Sequence, residues 1–304
     1  MEKVIVIVGP TAVGKTRLSI DLAKKMQTEI ISGDAMQVYK GMDIGTGKVT
    51  EKEMSGVPHH MLNIKAPNET FSVAEYQKEV QQTITAINEQ DKTPLLVGGS
   101  GLYIQAVLYD YIFSERKRDI KITQSLEARI KTEGNIALHE ELMAIDPDQA
   151  LKIHPNNTHR LIRALEVYQS TGKTLSEVYA DQNDQPKYDH HIIGLEMDRE
   201  TLYNQINHRV DQMIEHGLIA EVEALCRLGY EDTQAMKAIG YKEMIPYIKN
   251  ETDLDTAVQL VKRNSRRYAK RQYTWFKNKM NIKWYNLNNE KYAKIVHKII
   301  ADIK

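Results

Sequence analysis

The chain has 304 residues, of which 41% are hydrophobic and 27% are charged, a composition typical of a folded protein with one large or two modest domains. Its single cysteine excludes an internal disulfide, and zinc sites built from paired cysteines are excluded too. No apolar run approaches the roughly 18 residues of a membrane-spanning helix, and the opening residues lack the pattern of a cleavable leader. We therefore expect a cytoplasmic protein with no membrane partner.

The first element that the pattern predicts is a buried strand over residues 4–8, which runs into a phosphate-binding loop. Residues 9–16 match Gly-x-x-x-x-Gly-Lys-Thr, and helical spacing follows over residues 17–26. The N–H groups of such a loop surround phosphate oxygens at a helix N-terminus, where the helix dipole favours anions. Lys15 would pair with the terminal phosphate, and the Thr16 hydroxyl would help to hold Mg²⁺. The residues predicted to bind phosphate are Gly9, Pro10, Thr11, Ala12, Val13, Gly14, Lys15 and Thr16. The loop alone leaves open whether those phosphates belong to a nucleotide.

Alternating strands and helices continue through much of the chain. Further strands are predicted over residues 29–32, 60–64, 95–98, 191–197 and 282–286. The clearest helix covers residues 71–89, with Ser72 as its N-cap and Glu75 completing a capping box. This alternation predicts an α/β fold with a parallel sheet covered on both faces. Asp34 and the Gly98–Gly101 turn would then lie near the phosphate loop, because ligand sites in such sheets form at the carboxyl ends of the strands.

A middle segment, residues 114–188, has a different character. It is helical and polar, with turn signals at Asp146-Pro147 and Thr171-Gly172, and it lacks a strand pattern. We interpret it as a helical insertion domain or lid within a core formed by residues 1–113 and 189–304. Lids over phosphate sites are common because closure excludes water.

Two charged residues each allow more than one interpretation. Asp34 follows a predicted strand, so it could hold Mg²⁺, act as a general base or cap the next segment. Arg209 lies beside the apolar face of a predicted helix, where it could extend over the surface or bind phosphates bidentately. The chain lacks the acidic strand end with which motor-type hydrolases hold magnesium, and it lacks a guanine-reading Asn-Lys-x-Asp motif. These absences lower the expectation of a GTPase or an ATP-driven motor.

The net charge is zero, but residues 256–289 contain no Asp or Glu. A predicted helix over residues 261–275 places its cations in adjacent rows, four residues apart, to form a basic stripe. One row contains Lys262, Arg266 and Lys270, the other contains Arg263, Arg267 and Arg271, and the interleaved aromatic residues are Tyr268, Tyr273, Trp275 and Phe276. A solvated face normally mixes charge signs. The stripe therefore favours binding of a nucleic-acid backbone with stacked, unpaired bases.

Together these motifs resemble those of the bacterial tRNA dimethylallyltransferases, also called isopentenyl-diphosphate:tRNA transferases. The matching segments are residues 9–16, 34–48 (Asp-Ala-Met-Gln-Val-Tyr-Lys-Gly-Met-Asp-Ile-Gly-Thr-Gly-Lys), 97–103 (Val-Gly-Gly-Ser-Gly-Leu-Tyr), 157–166, 239–243 (Ile-Gly-Tyr-Lys-Glu) and 267–276. They follow the family's order over essentially the whole chain, and the run at 34–48 is the most specific. Ala35 and Ser100 depart from the family's frequent Ser and usual Thr, although Ser100 keeps a hydroxyl. The zinc-finger extension of eukaryotic relatives is absent.

The resemblance implies a P-loop NTPase-like, nucleotide-kinase-like core that binds dimethylallyl diphosphate rather than ATP. It implies transfer of the dimethylallyl group to the exocyclic amine of the adenine immediately 3′ of the anticodon. Asp34 would be the general base, Ser100 would orient the flipped-out nucleotide, and Arg209 would clamp the leaving diphosphate, with Mg²⁺ at Thr16. The implied tRNA contacts are Asp34, Ala35, Met36, Gln37, Ser100, Thr158, His159, Arg160, Gly240, Tyr241, Lys242, Arg267, Lys270 and Arg271. We expect a monomer that binds the tRNA anticodon stem-loop.

Two other functions fit parts of the pattern. A small-molecule or nucleotide kinase would use the same loop, Mg²⁺ and lid for phosphoryl transfer, but it does not need the basic aromatic helix. A non-catalytic RNA-binding ATPase would need an acidic partner for hydrolysis, which the sequence does not offer.

Overall fold

The chain divides into two compact units, one formed by Met1–Leu108 and Pro186–Lys304 and the other by Tyr109–Gln185. The computed structural model describes residues 1–113, 119–180, 182, 185–288 and 290–303. The second unit is inserted between the two parts of the first, and its bounds lie a few residues away from the 114–188 predicted from the sequence.

The first unit is built on a six-stranded parallel sheet. Its strands are β1 (Lys3–Val8), β2 (Ile30–Ser32), β3 (His59–His60), β4 (Leu95–Gly98), β5 (Asp189–Glu196) and β6 (Lys283–Asn286). They lie in the order β3-β2-β4-β1-β5-β6, and every neighbouring pair is parallel. Val4 through Val8 of β1 are all buried, as expected for a strand covered on both faces.

Helices make up most of the remaining regular structure. They are α1 (Lys15–Met26), α2 (Glu51–Met54), α3 (Val73–Asn88), α4 (Gly101–Leu108), α5 (Ile120–Glu133), α6 (Asn135–Ile145), α7 (Pro147–Ala150), α8 (Thr158–Thr171), α9 (Leu175–Val178), α10 (Arg199–Glu215), α11 (Leu218–Arg227), α12 (Ile245–Ile248), α13 (Leu254–Lys279) and α14 (Tyr292–Ile303). None of those in the described part of the chain could cross a bilayer.

The segment from β1 to α1 has the predicted strand–loop–helix arrangement, with the phosphate loop running from the end of β1 into the first two residues of α1. The predicted capping box of α3 is also present, since the Ser72 hydroxyl accepts from the Glu75 N–H and the Glu75 carboxylate accepts from the Ser72 N–H. A parallel sheet flanked by helices, with this loop after a central strand, is the P-loop NTPase-like fold. The predicted fold class is confirmed.

The second unit has a hydrophobic core of its own, built from the faces of α5, α6 and α8. Leu126, Leu138, Leu142 and Leu161 are at most 1% exposed in this core. Buried Asp146 accepts a hydrogen bond from the Ser176 hydroxyl at 2.6 Å and another from the Ser176 N–H at 3.0 Å. The part of this unit that the structure describes contains no strand, in agreement with its sequence pattern.

One predicted strand is wrong over most of its length. The pattern predicts a strand over residues 60–64, whereas β3 covers only His59–His60. Met61 and Asn63 have φ angles of 63° and 56°, and a strand cannot continue through this left-handed region. The chain turns instead and bonds back to an earlier segment, with the Ile64 N–H donating to the Val38 carbonyl at 2.8 Å.

The carboxyl ends of β2 and β4 approach each other closely at two glycines. A Cβ atom on Gly98 would lie 2.1 Å from the Gly33 carbonyl oxygen. The Gly33 N–H donates to the Val97 carbonyl at 2.7 Å, and the Ser100 N–H donates to the Gly33 carbonyl at 3.3 Å. Glycine at position 98 therefore allows the turn that carries Ser100 to lie against the end of β2.

We predict that Gly98→Ala destabilises the first unit by more than about 3 kcal/mol, because the added methyl group would meet backbone atoms of Gly33 that cannot rotate away. Gly229→Ala is the matched control, since its φ is +75° but no atom lies within 4 Å of the added Cβ. Its cost should be the left-handed strain alone, about 1–2 kcal/mol. Urea unfolding followed by tryptophan fluorescence measures the difference, because both tryptophans belong to this unit. Equal losses in the two variants would contradict the interpretation.

Candidate functional site

A cavity of about 860 Å³ lies in the first unit, where the carboxyl ends of three strands meet. The phosphate loop lines it after β1, residues 34–37 line it after β2, and residues 98–100 line it after β4. Residues of α10 and α13 complete the walls. The convergence that the sequence predicts at this edge is therefore present, as is usual for ligand sites in open parallel sheets.

Lys15 is the first residue of α1, and its side chain extends back to the start of the phosphate loop. Its Nζ donates to the carbonyl oxygens of Gly9 at 3.0 Å and Pro10 at 2.8 Å. Burial lowers the pKa of Lys15 to about 7; the neighbouring Arg209 charge also lowers it, while Asp34 raises it. An anion bound beside this ammonium group would favour its charged form, so the site is suited to a negatively charged ligand.

Arg209 extends from α10 into the same cavity rather than over the outer surface. The apolar face predicted for this helix is present, with Leu202, Ile206 and Val210 buried. The Arg209 guanidinium donates to the Gly47 carbonyl at 3.2 Å and to the Thr11 hydroxyl at 3.5 Å. Burial lowers the pKa of Arg209, and this effect is opposed by Asp34 and Glu53. Lys15 and Arg209 thus form a paired cationic region beside the loop.

Asp34 lines the cavity at the end of β2, and its two oxygens have different surroundings. Oδ1 accepts from the N–H groups of Met36 at 2.8 Å and Gln37 at 3.4 Å, which is the capping arrangement. Within the described chain, no group donates to Oδ2. The capping and general-base interpretations of Asp34 are therefore compatible, because each requires a different oxygen.

Ser100 and α13 connect the other walls of the cavity. The Ser100 hydroxyl accepts from the Ala35 N–H at 3.1 Å, and Ser100 lines the cavity together with Tyr268 of α13. Gln272 accepts from the Thr11 N–H at 2.8 Å and donates to the Gly99 carbonyl at 3.0 Å. Burial, with a smaller effect of Asp34, raises the pKa of Tyr268 to about 12, so its phenol stays protonated. Gln272 was not among the predicted site residues, and Tyr268 was predicted only as one of the aromatic residues interleaved with the cations of the basic helix.

The cations of α13 have unequal surroundings. Lys262 lies 2.5 Å from the Asp211 carboxylate, and Arg266 donates to Asn207 at 2.5 Å, so both tie α13 to α10. The basic stripe is therefore narrower than the sequence indicates, because α10 supplies partners that its spacing along α13 does not reveal. Arg267, Lys270 and Arg271 are exposed, as their predicted contact with RNA requires.

The aromatic residues of the same helix are also unequal. Phe276 is 0% exposed, so the prediction that it stacks on bases is wrong, because its ring belongs to the protein core. Tyr273 stacks on Trp284 with 5.4 Å between ring centroids, and the Trp275 ring packs against Gly101. Of the four predicted aromatics, Tyr268 lines the cavity.

The remaining predicted residues divide by location. Those that line the cavity are Thr11, Ala12, Gly14, Thr16, Ala35, Met36, Gln37, Gly240 and Lys242. Val13 is buried, and Tyr241 is 0% exposed beside the cavity residue Gly240, with its hydroxyl donating to Glu221. Thr158, His159 and Arg160 begin α8 of the second unit, where His159 and Arg160 are exposed. Their roles in binding or catalysis stay predictions.

Comparison with known proteins identifies the family. A family model described as IPP transferase matches residues 37–279. A tRNA dimethylallyltransferase of Bacillus pumilus is 54% identical over 94% of this chain and 90% of its own length, and one of Geobacillus thermodenitrificans is 53% identical over 99% and 96%. The tRNA isopentenylpyrophosphate transferase structure of Bacillus halodurans superposes with a TM-score of 0.76 at 48% identity, covering 100% of this chain and 96% of that one. A eukaryotic dimethylallyltransferase acting on tRNA has a TM-score of 0.86 at 31% identity, with 100% and 79% covered. The chain belongs to the IPP transferase family.

Proposed function

We propose that this chain transfers a dimethylallyl group from dimethylallyl diphosphate to the N6 amine of the adenine immediately 3′ of the anticodon in tRNA. The products are N6-dimethylallyladenosine and diphosphate. The observation that carries the proposal is the single cavity in which a phosphate loop, two cations and a carboxylate at a strand end lie together. Membership of the IPP transferase family and the names of the relatives support this assignment.

The leaving group is the first chemical requirement. The bond between the allylic C1 and the diphosphate oxygen breaks, and its electron pair departs with the diphosphate. Lys15, Arg209 and the loop N–H groups would stabilise this developing negative charge. Because their positions are held by hydrogen bonds within the protein, little reorganisation is needed at the moment of reaction.

The second requirement is to remove a proton from the amine, which is a weak nucleophile. The adenine N6 forms a bond to C1 and must lose one proton, since an exocyclic aromatic amine does not carry the resulting positive charge. Asp34 Oδ2 would accept this proton while Oδ1 keeps its bonds to the N–H groups of Met36 and Gln37. Ser100, next to Ala35 in space, would orient the flipped-out nucleotide.

Mg²⁺ is the cation that we propose for the diphosphate. Within the described residues, no group of three or more His, Cys, Asp or Glu side chains could hold a metal ion. The Thr16 hydroxyl, exposed on the first turn of α1, would therefore supply one ligand, with phosphate oxygens and water as the others, which suits the coordination habits of Mg²⁺. When bound, the ion would neutralise charge on the departing diphosphate.

The tRNA anticodon stem-loop would bind along the exposed residues Arg267, Lys270 and Arg271, next to the cavity wall that Arg271 forms. The phosphate loop, both cations and Asp34 all belong to the first unit, so the proposed chemistry needs no residue from a second copy, and we propose a monomeric enzyme. Action on tRNA anticodons favours a cytoplasmic location.

The direct test is an assay with labelled dimethylallyl diphosphate, Mg²⁺ and unmodified tRNA. Label should enter the tRNA as N6-dimethylallyladenosine at the base 3′ of the anticodon, without ATP. A tRNA in which that adenine is replaced by guanine is the matched control and should stay unlabelled. Turnover of ATP with no labelled tRNA would instead support a kinase or an ATPase.

We predict that Asp34→Asn slows transfer by about 10²–10⁴-fold, because the amide can still accept from the Met36 N–H but cannot take the proton of the amine. Affinity for inorganic pyrophosphate should change far less than the transfer rate does, and the melting temperature should stay close to that of the unaltered chain. Single-turnover transfer and pyrophosphate titration measure the two effects. Transfer within a few-fold of the unaltered rate would eliminate Asp34 as the base.

We predict that Arg267→Gln combined with Arg271→Gln weakens tRNA binding and flattens its salt dependence. Each lost phosphate contact should reduce the slope of log affinity against log salt by roughly 0.7–0.9. Lys294→Gln with Lys298→Gln is the control, since these lysines are exposed on α14 and carry the same charge. Binding of tRNA measured at several salt concentrations compares the two double variants, and only the arginine variant should have a reduced slope. An unchanged slope together with a lower melting temperature would mean that the two arginines stabilise the fold and do not contact RNA.

A further inference from the structure

Glu221, on α11, has an unusual set of hydrogen-bond partners. Its carboxylate accepts from three successive backbone N–H groups, those of Asp43 at 2.9 Å, Ile44 at 2.9 Å and Gly45 at 3.1 Å. Successive N–H groups that point to one side form a concave anion site, and a carboxylate there makes charge-assisted bonds. Glu221 therefore holds the loop of residues 41–48 from outside that loop.

Tyr241 completes this arrangement. Its hydroxyl donates to Glu221 at 2.6 Å, and its ring is so close to the loop that a Cβ atom on Gly45 would lie 2.4 Å from Cε2. Its segment is fixed in turn by the buried Glu243, which accepts from the Gly240 N–H at 2.8 Å and from Asn264 of α13 at 2.8 Å. A buried ring in this position supports the loop and is not exposed to an RNA ligand.

The other end of the same loop meets Arg209. The Gly47 carbonyl accepts from Arg209 Nη2 at 3.2 Å, and a Cβ atom on Gly47 would lie 1.5 Å from that nitrogen. The guanidinium thus packs tightly against the loop backbone at Gly47. Lys48 anchors the loop beyond this point, where its buried Nζ donates to the Tyr39 carbonyl at 2.7 Å and to Asn63 at 2.6 Å.

We propose that Glu221 and Tyr241 are positioning residues for Arg209. They hold the loop of residues 41–48 in the conformation in which Gly47 directs the guanidinium into the cavity, before any ligand binds. An arginine held in this way loses less conformational freedom when it binds an anion than one that is free to move. The inference rests on the function proposed above, in which Arg209 binds the diphosphate, and it gives Tyr241 a role other than the predicted contact with tRNA.

The test uses the full chain, inorganic pyrophosphate with Mg²⁺ as the probe, and the variants Glu221→Gln, Tyr241→Phe and Arg209→Ala. Glu221→Gln replaces one acceptor oxygen with a donor that faces the loop N–H groups, and it should weaken pyrophosphate binding by roughly five- to tenfold. Tyr241→Phe removes the hydroxyl alone and should give a smaller loss in the same direction. Glu223→Gln, on the same helix, is the matched control and should bind as the unaltered chain does.

The decisive measurement combines Glu221→Gln with Arg209→Ala. If the carboxylate acts through Arg209, its replacement should change pyrophosphate affinity less than twofold once Arg209 is absent, whereas independent effects multiply. The KM for dimethylallyl diphosphate should rise in both single variants, Glu221→Gln and Tyr241→Phe, while tRNA affinity stays constant.

Several results would overturn the inference. One is a loss of pyrophosphate affinity from Glu221→Gln that is as large in the Arg209→Ala background as in the unaltered chain. Another is a lowered melting temperature with unchanged pyrophosphate affinity, which would indicate a purely structural loop. The third is weaker tRNA binding in Tyr241→Phe with unchanged pyrophosphate affinity. If Arg209→Ala itself binds pyrophosphate normally, the proposed role of Arg209 fails and this inference falls with it. If only the Glu221 and Tyr241 variants bind normally, the inference alone fails.

Discussion

The close contact between the ends of β2 and β4 is the constraint on which the site depends. Gly33 and Gly98 pack backbone against backbone, at a separation that leaves no room for a side chain on Gly98. This contact brings the turn that carries Ser100 to the segment that begins at Asp34, and the bond from the Ala35 N–H to Ser100 closes it. The phosphate loop joins the same edge because β1 is the other neighbour of β4. Three short segments, far apart in the chain, thus form one cavity.

The charges in that cavity are suited to a reaction that separates charge. Burial lowers the pKa of both Lys15 and Arg209. A bound anion would stabilise the charged forms of both side chains, so the cavity is suited to an anionic ligand. The negative charge of Asp34 raises the pKa of both Lys15 and Arg209, in opposition to burial. In the proposed reaction the diphosphate leaves toward the cations while the amine approaches the carboxylate. The protein would therefore provide opposite charges for the two ends of one displacement.

Local signals in the sequence were sufficient for much of the fold. The phosphate loop and the capping box of α3 each depend on residues that are close together in the sequence, and both have the predicted form. The strand over residues 60–64 was mispredicted because its apolar pattern does not reveal the positive φ angles of Met61 and Asn63. Predictions also failed where burial depends on a distant partner. In the sequence, Phe276 is one more aromatic residue on a basic helix. Its burial in the core follows from tertiary packing, which the local pattern does not show.

Glu221 shows most clearly why part of the site could not be predicted. It lies on an ordinary amphipathic helix, and three of its partners are backbone N–H groups of residues that are 176 to 178 positions away. Every residue except proline has a backbone N–H group, so neither residue identity nor the spacing of side chains reveals which of these groups will bind a carboxylate. Gln272 is a similar case. Its side-chain amide accepts from the Thr11 N–H and donates to the Gly99 carbonyl, and both of these partners are main-chain groups. These contacts link the phosphate loop, the β4 turn and α13.

In the proposed reaction the phosphate loop holds an isoprenoid diphosphate as the leaving group and does not hold a nucleotide as a phosphoryl donor. Transfer measured at varied concentrations of dimethylallyl diphosphate, with inorganic pyrophosphate or ATP added, distinguishes the two kinds of ligand. Pyrophosphate should compete with dimethylallyl diphosphate, and ATP at the same concentration should neither be hydrolysed nor be required for transfer. Transfer that depends on ATP, or pyrophosphate inhibition that added dimethylallyl diphosphate does not relieve, would contradict the account.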